Sequence, residues 1–131
     1  MLIRVDPARS EPLADQIAAC VRRAIADGEA PAGGRLPGAR ELAASLDVSI
    51  HTVLAGYQQL RTEGLIDLRR GRGATVRAGA ADGRAAVIDL ARRLVTAARR
   101  IDLDDEELLD LVRAAAGGER TAPAVDVPRK P

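Results

Sequence analysis

A chain of 131 residues with 47% hydrophobic side chains bounds one compact domain with short appendages. It holds one Cys and one His, which excludes an internal disulfide and the usual zinc sites. The net charge of +1 announces no class of partner, so the placement of the charges has to carry that information.

There is no Phe or Trp and only one Tyr, so the core must be built from Leu, Val, Ile and Ala. Such side chains bury little area each. A monomer of this size is marginal and gains from a partner subunit. The single cysteine fits a reducing compartment, and the start "MLIRVDPARSEP" has no apolar run of a signal peptide. No apolar span of ~20 residues occurs, so no membrane association is expected and the expectation is a soluble cytoplasmic protein.

Taken in chain order, residues 1–11 read as an extended N-terminal arm. Pro12 sits where a helix can start, with Ser10 or Glu11 as cap. Apolar residues at 13, 17, 20/21 and 24/25 have helical spacing, with Cys20 on the packed stripe, and Gly28 ends the helix. The loop "GEAPAGGRLPG" is too rich in Gly and Pro to be helical. A short second helix is predicted over 38–46, with Leu42 and Leu46 inward. "DVS" makes a tight turn, Ser49 caps a third helix, and that helix runs to about Glu63 before Gly64 stops it. Two β runs, "LIDLR" and "ATVR", flank "RGRG" and predict a hairpin over 65–78.

Residues 79–83 read as a linker. A fourth helix follows with a stripe at Val87, Leu90, Leu94, Val95, Ala98 and Ile101. A fifth has Asp104 and Glu107 at capping-box spacing, with Leu108, Leu111 and Val112 on its stripe. The cap and the helix dipole account for the six acids between Asp102 and Asp110 without a binding role. Gly117-Gly118 is expected to end this helix, and residues 119–131 to be a disordered tail. The predicted architecture is mainly α with a small β-hairpin. It comprises a winged helix-turn-helix over 12–78 and a two-helix C-terminal dimerisation segment over 84–118.

The third helix turns 100° per residue. Val53, Tyr57 and Leu60 then share the core side, with the Tyr57 hydroxyl able to reach a phosphate at the edge. His51, Thr52, Ala55, Gln58 and Gln59 point away, with Leu54 between the two faces. Gly56 inside a helix costs about 1 kcal/mol and predicts close approach by the first or second helix. The outward face is polar and uncharged from Ser49 to Leu60. Ser, Thr, His and Gln can all hydrogen-bond to base edges, and an alanine methyl can touch that of thymine. Affinity for DNA comes largely from phosphate neutralisation, which Arg40 on the second helix and Arg69, Arg70 and Arg72 on the hairpin can supply.

The segment from Pro12 to Val76 resembles the DNA-binding domain of GntR-family bacterial transcription regulators. The resemblance is carried by "PLADQI", "GGRLPGAREL", "VSIHTV", "EGLI" and "GRGATV". The short C-terminal helix pair and "TVLAGYQQL" are similar to the YtrA-like subfamily. That likeness implies a homodimer joined by the last two helices, Val87, Leu90, Leu94, Val95, Ile101, Leu108, Leu111 and Val112 lying on their stripes, and a regulator of the kind often found on transporter operons. It also implies that Arg40 contacts DNA, that Ser49, His51 and Thr52 stand at base- and phosphate-contacting positions, and that Gly71 is the wing tip. The chain departs from the family at Ile50, where many members have Arg or Pro, and at Leu54 and Ala55, where a basic residue is common. "PGARE" also replaces the usual "PSERE", with loss of a capping serine.

The expected function is a sequence-specific, homodimeric DNA-binding repressor of an inverted-repeat operator on double-stranded DNA. The alternative is a winged-helix protein-interaction module that turns its basic wing to an acidic partner. No cofactor is expected. A small-molecule effector is not indicated, although the C-terminal stripes could bury around one. No nucleophile–base pair or phosphate-cradling loop suggests an enzyme.

Overall fold

The computed structural model describes residues 1–80 and 83–124, with side chains as far as 117. The elements run α1 (Leu13–Ala26), α2 (Ala39–Leu46), α3 (Ile50–Thr62), β1 (Ile66–Arg69), β2 (Gly73–Val76), α4 (Arg84–Arg100) and α5 (Asp105–Ala124). This is the predicted mainly helical winged helix-turn-helix. The chain divides into a unit spanning Met1–Leu90 and a second that begins at Ala91. The division falls inside α4 and not in the linker. Ala85 and Asp89 are buried in the first unit, and Ile88 packs on its core.

Within the first unit α3 packs on both α1 and α2. Ile17, Val21 and Ile25 of α1 meet Val53, Tyr57 and Leu60 of α3 in one core, which Leu65, Ile66 and Val76 extend under the wing. Helix ends follow local chemistry. Ser49 has extended geometry, and its Oγ accepts from the Thr52 amide at 3.1 Å, so it caps α3 as its type predicts. Gly38 caps α2 with no side chain. Three helices end in the same way: an amide of residue i bonds the carbonyl of i−5 around a left-handed residue. At α3 this is Leu65 to Leu60, around Gly64. At α2 and α4 the left-handed residues are Asp47 (φ 57°) and Asp102 (φ 58°). At the start of α5, Asp104 and Glu107 exchange amide–carboxylate bonds of 3.1 and 2.8 Å, the expected capping box.

Three expectations are corrected, while the Gly/Pro-rich loop, non-helical as expected, also gains a partner. The N-terminal arm is not extended throughout, since residues 7–11 form turns and bends, and it is tied to the first unit. Ile3 is buried, Gln16 ties the arm to α1 by bonding both the amide and the carbonyl of Asp6, and Cys20 Sγ donates to Arg4 O at 3.4 Å. Neither Ser10 nor Glu11 caps α1; Pro12 does, without a side-chain bond. The Gly/Pro-rich loop pairs with the wing, with Leu36 N to Ala74 O at 2.9 Å, Val76 N to Gly34 O at 2.9 Å, and Arg35 bridged to Thr75. Helix α5 passes through Gly117 and Gly118 to Ala124, so residues 119–124 are helical. The rest of the expected tail, 125–131, lies outside the described residues.

Gly56 is required by contact. A Cβ there would stand 2.9 Å from Ala14 O and 3.2 Å from Ile17 Cγ2, both on α1. Gly56→Ala is expected to lower stability by about 1–3 kcal/mol in urea denaturation. Overpacking against a backbone atom outweighs the roughly 1 kcal/mol of helix propensity gained.

Candidate nucleic-acid interface

The exposed residues of α3 form one outward stripe. His51, Ala55, Gln58 and Thr62 are solvent-exposed at helical spacing, opposite the buried Val53, Gly56, Tyr57 and Leu60. Thr52 is half-buried, and its hydroxyl lies 2.9 Å from Ser49 Oγ, so these two side chains are joined at the helix start. Gln58 Oε1 accepts from Arg61 Nη1 at 3.4 Å. Gln59, expected to face outward, turns to α1 instead. It donates to Asp15 Oδ1 at 3.3 Å and accepts from Arg22 at 3.4 Å. Two residues 100° apart thus divide between surface and interface because α1 offers polar partners on one flank.

Tyr57 also differs from expectation. It is buried, and its hydroxyl donates to Pro37 O at 2.7 Å, pinning α3 to the loop before α2 and leaving no free hydroxyl for a phosphate. Burial, and next the carboxylate of Glu41, push its phenol up to about 12 from 10.0. The unfolded chain ionises this group near pH 10 and the folded one only near 12. Its contribution to stability is therefore complete below pH 10 and lost as pH rises to 12. Stability should fall by roughly 2 kcal/mol across that window, and Tyr57→Phe should remove this component. The chain has no other tyrosine, so phenolate absorbance follows the group directly.

The wing carries the charge. Ile66 faces Val76 and Arg69 faces Gly73 in the antiparallel register, and the Arg72 amide closes the turn on Arg69 O at 3.0 Å. Gly71 and Gly73 hold φ near 79° and 76°, which L-residues avoid. Arg69, Arg70 and Arg72 are exposed, as is Arg40 in the first turn of α2, and among the described residues no carboxylate pairs with any of them. Arg77 is paired, 3.7 Å from Asp67.

One cation was missed in the sequence reading. Arg35 is exposed, and its Nη2 donates to Arg72 O at 3.0 Å, bracing the wing turn and adding a guanidinium beside it. Its only sequence signal was a lone arginine in a Gly/Pro loop. The structure joins Ser49 with Thr52 and Arg35 with Arg72; Arg40 stands on a separate helix.

A capped helix with an uncharged polar face, a preceding short helix across a tight turn and an arginine-bearing hairpin define a winged helix-turn-helix protein of the transcription-regulator kind. The family model "Bacterial regulatory proteins, gntR family" matches residues 13–76. The chain is 36% identical over 72 residues to the HTH-type transcriptional repressor YtrA of Bacillus subtilis (strain 168), covering 55% of each chain. It therefore spans little more than half the length of that curated relative. YtrA from Sulfolobus acidocaldarius, a GntR-family transcription factor, is similar in structure with a TM-score of 0.56 and 34% identity, over 72% of this chain and 99% of that one. A GntR family transcriptional regulator from Listeria monocytogenes shares the fold at a TM-score of 0.58 and 24% identity, over 84% of this chain and 98% of that one. The chain belongs to the GntR family. Within it the chain is YtrA-like.

Among the described residues, no helix is long and apolar enough to cross a membrane, and no group of His, Cys, Asp and Glu could hold a metal ion.

Proposed function

We propose that this chain is a homodimeric, sequence-specific DNA-binding repressor that reads an inverted-repeat operator. The observation that carries the reading is the pairing of an uncharged polar face on α3 with five exposed arginines, Arg35, Arg40, Arg69, Arg70 and Arg72, that no described carboxylate neutralises. In such proteins the start of the second helix of the motif faces base edges, while flanking cations hold phosphates. A winged-helix module for an acidic protein partner would present a broader apolar patch, and Leu54 is the one large hydrophobic exposed on α3. A mobility shift with the chain's own promoter region should show a complex that competitor DNA of unrelated sequence does not displace. Equal competition by any duplex would refute sequence-specific binding.

The dimer reading rests on exposed apolar side chains. Val87, Leu90 and Leu94 lie along α4 with Val95 beside them, and Ile101, 70% exposed, follows its last residue. Leu111 and Val112 are exposed on α5, together with Leu109, which the stripe had not included. Leu108 is the exception, buried within the single chain and so unavailable to a partner. So many exposed large apolar side chains on two helices are uncommon on a monomer. The double variant Leu94→Glu with Ile101→Glu should sediment as a monomer and bind the operator roughly 100-fold more weakly, because two half-sites no longer act together. A persisting dimer would overturn the assignment of this face.

A further inference from the structure

We propose that α3 reads thymine through its 5-methyl group, with Leu54 and Ala55 as the contacting side chains, so that each half-site is built on A·T pairs. This rests on the DNA-reading function above and specifies its target. Leu54 is 38% exposed and Ala55 is exposed, both beside His51 and Gln58 on a helix face that is otherwise polar. Ile50 lies one turn before Leu54 and is half-exposed. The first Arg or Lys of α3 is Arg61, in its last turn, whereas base edges meet the N-terminal part of such a helix.

These residue types decide between bases. Guanine is read most often by Arg or Lys on its O6 and N7, and α3 offers neither before Arg61. A guanine opposite Leu54 would lose the water on two acceptors and gain no donor, which disfavours it. Thymine alone of the four bases carries a methyl group in the major groove, the apolar partner an exposed leucine can bury against. Gln58 has the donor and acceptor that match adenine N7 and N6. The apolar residues at these positions are thus a reading surface for A·T pairs and not an absence of contacts.

The test selects bound duplexes from a random-sequence pool with the full chain, then replaces half-site thymines with deoxyuridine, which pairs identically and lacks the methyl. Affinity at fixed salt should fall roughly three- to five-fold per thymine contacted, the worth of one buried methyl, and about ten- to twenty-fold when both half-sites are changed. Leu54→Ala should bind the original duplex more weakly and lose most of this sensitivity; the residue is at the surface, and unchanged helicity would show that the fold is kept. Deoxyuridine duplexes bound as tightly as the originals, or selected half-sites made of G·C pairs, would overturn the assignment while leaving sequence-specific binding intact. Failure to enrich any duplex would instead overturn the DNA-reading function on which it rests.

Discussion

Arg22→Met is expected to lower the stability of the chain by about 2–4 kcal/mol, read as a shift in the urea midpoint at unchanged slope. Arg22 is 1% exposed and yet sits in the middle of α1. Its guanidinium forms a two-pronged pair with Glu63, with both N–O distances 2.9 Å, and donates to Gln59 as well. Burying either charge alone is expensive, and the pair repays that cost because its geometry is bidentate. Removing the arginine strips a largely buried carboxylate of this guanidinium. The double variant Arg22→Met with Glu63→Leu should recover most of the loss, since two apolar residues of similar size replace such pairs at little cost. A single variant within 1 kcal/mol of the parent would show that the pair carries no such coupling.

Arg40→Ala and Arg72→Ala are each expected to weaken operator binding on the order of 30-fold at 0.15 M salt. One phosphate contact contributes about 0.9 to the slope of log K against log salt, and a dimer loses one contact in each subunit. The slope should become shallower by nearly 2 for each variant, and this distinguishes lost phosphate contacts from a damaged fold. Arg113→Ala serves as the control: Arg113 is exposed on α5 and pairs only locally, 3.2 Å from Asp110. An unchanged slope in both Arg40 and Arg72 variants would remove these residues from the interface.

Local rules made much of the fold legible. The Ser49 cap, the Asp104–Glu107 box, the Gly64 stop and the glycine turn of the hairpin each depend on residues within five positions of one another. Gly56 was readable as a point of close approach because a glycine inside a helix has a cost that needs a reason. What stayed hidden depends on distant partners. Nothing near Arg22 in the sequence marks it as buried, since its partner Glu63, the C-cap of α3, lies 41 residues away. Gln58 and Gln59 are chemically identical, and α1 alone sends the second inward. Arg35 belongs to a segment whose pairing with β2 is made by backbone groups, which leave no side-chain pattern. The candidate site was therefore legible on α3 and the wing arginines, and incomplete where the loop and the wing meet.

Glu63 has a wider consequence. Its carboxylate grips Arg22 of α1, while its carbonyl accepts from Arg84 Nε at 2.8 Å, at the first residue of α4. The end of α3 is thereby bolted on two sides, and Tyr57 bolts a third through Pro37. A helix held so firmly has little freedom to roll and accommodate an imperfect target. On the proposed reading of an operator, the distortion would fall on the duplex, and base pairs that no side chain reaches would gain influence through how easily they bend.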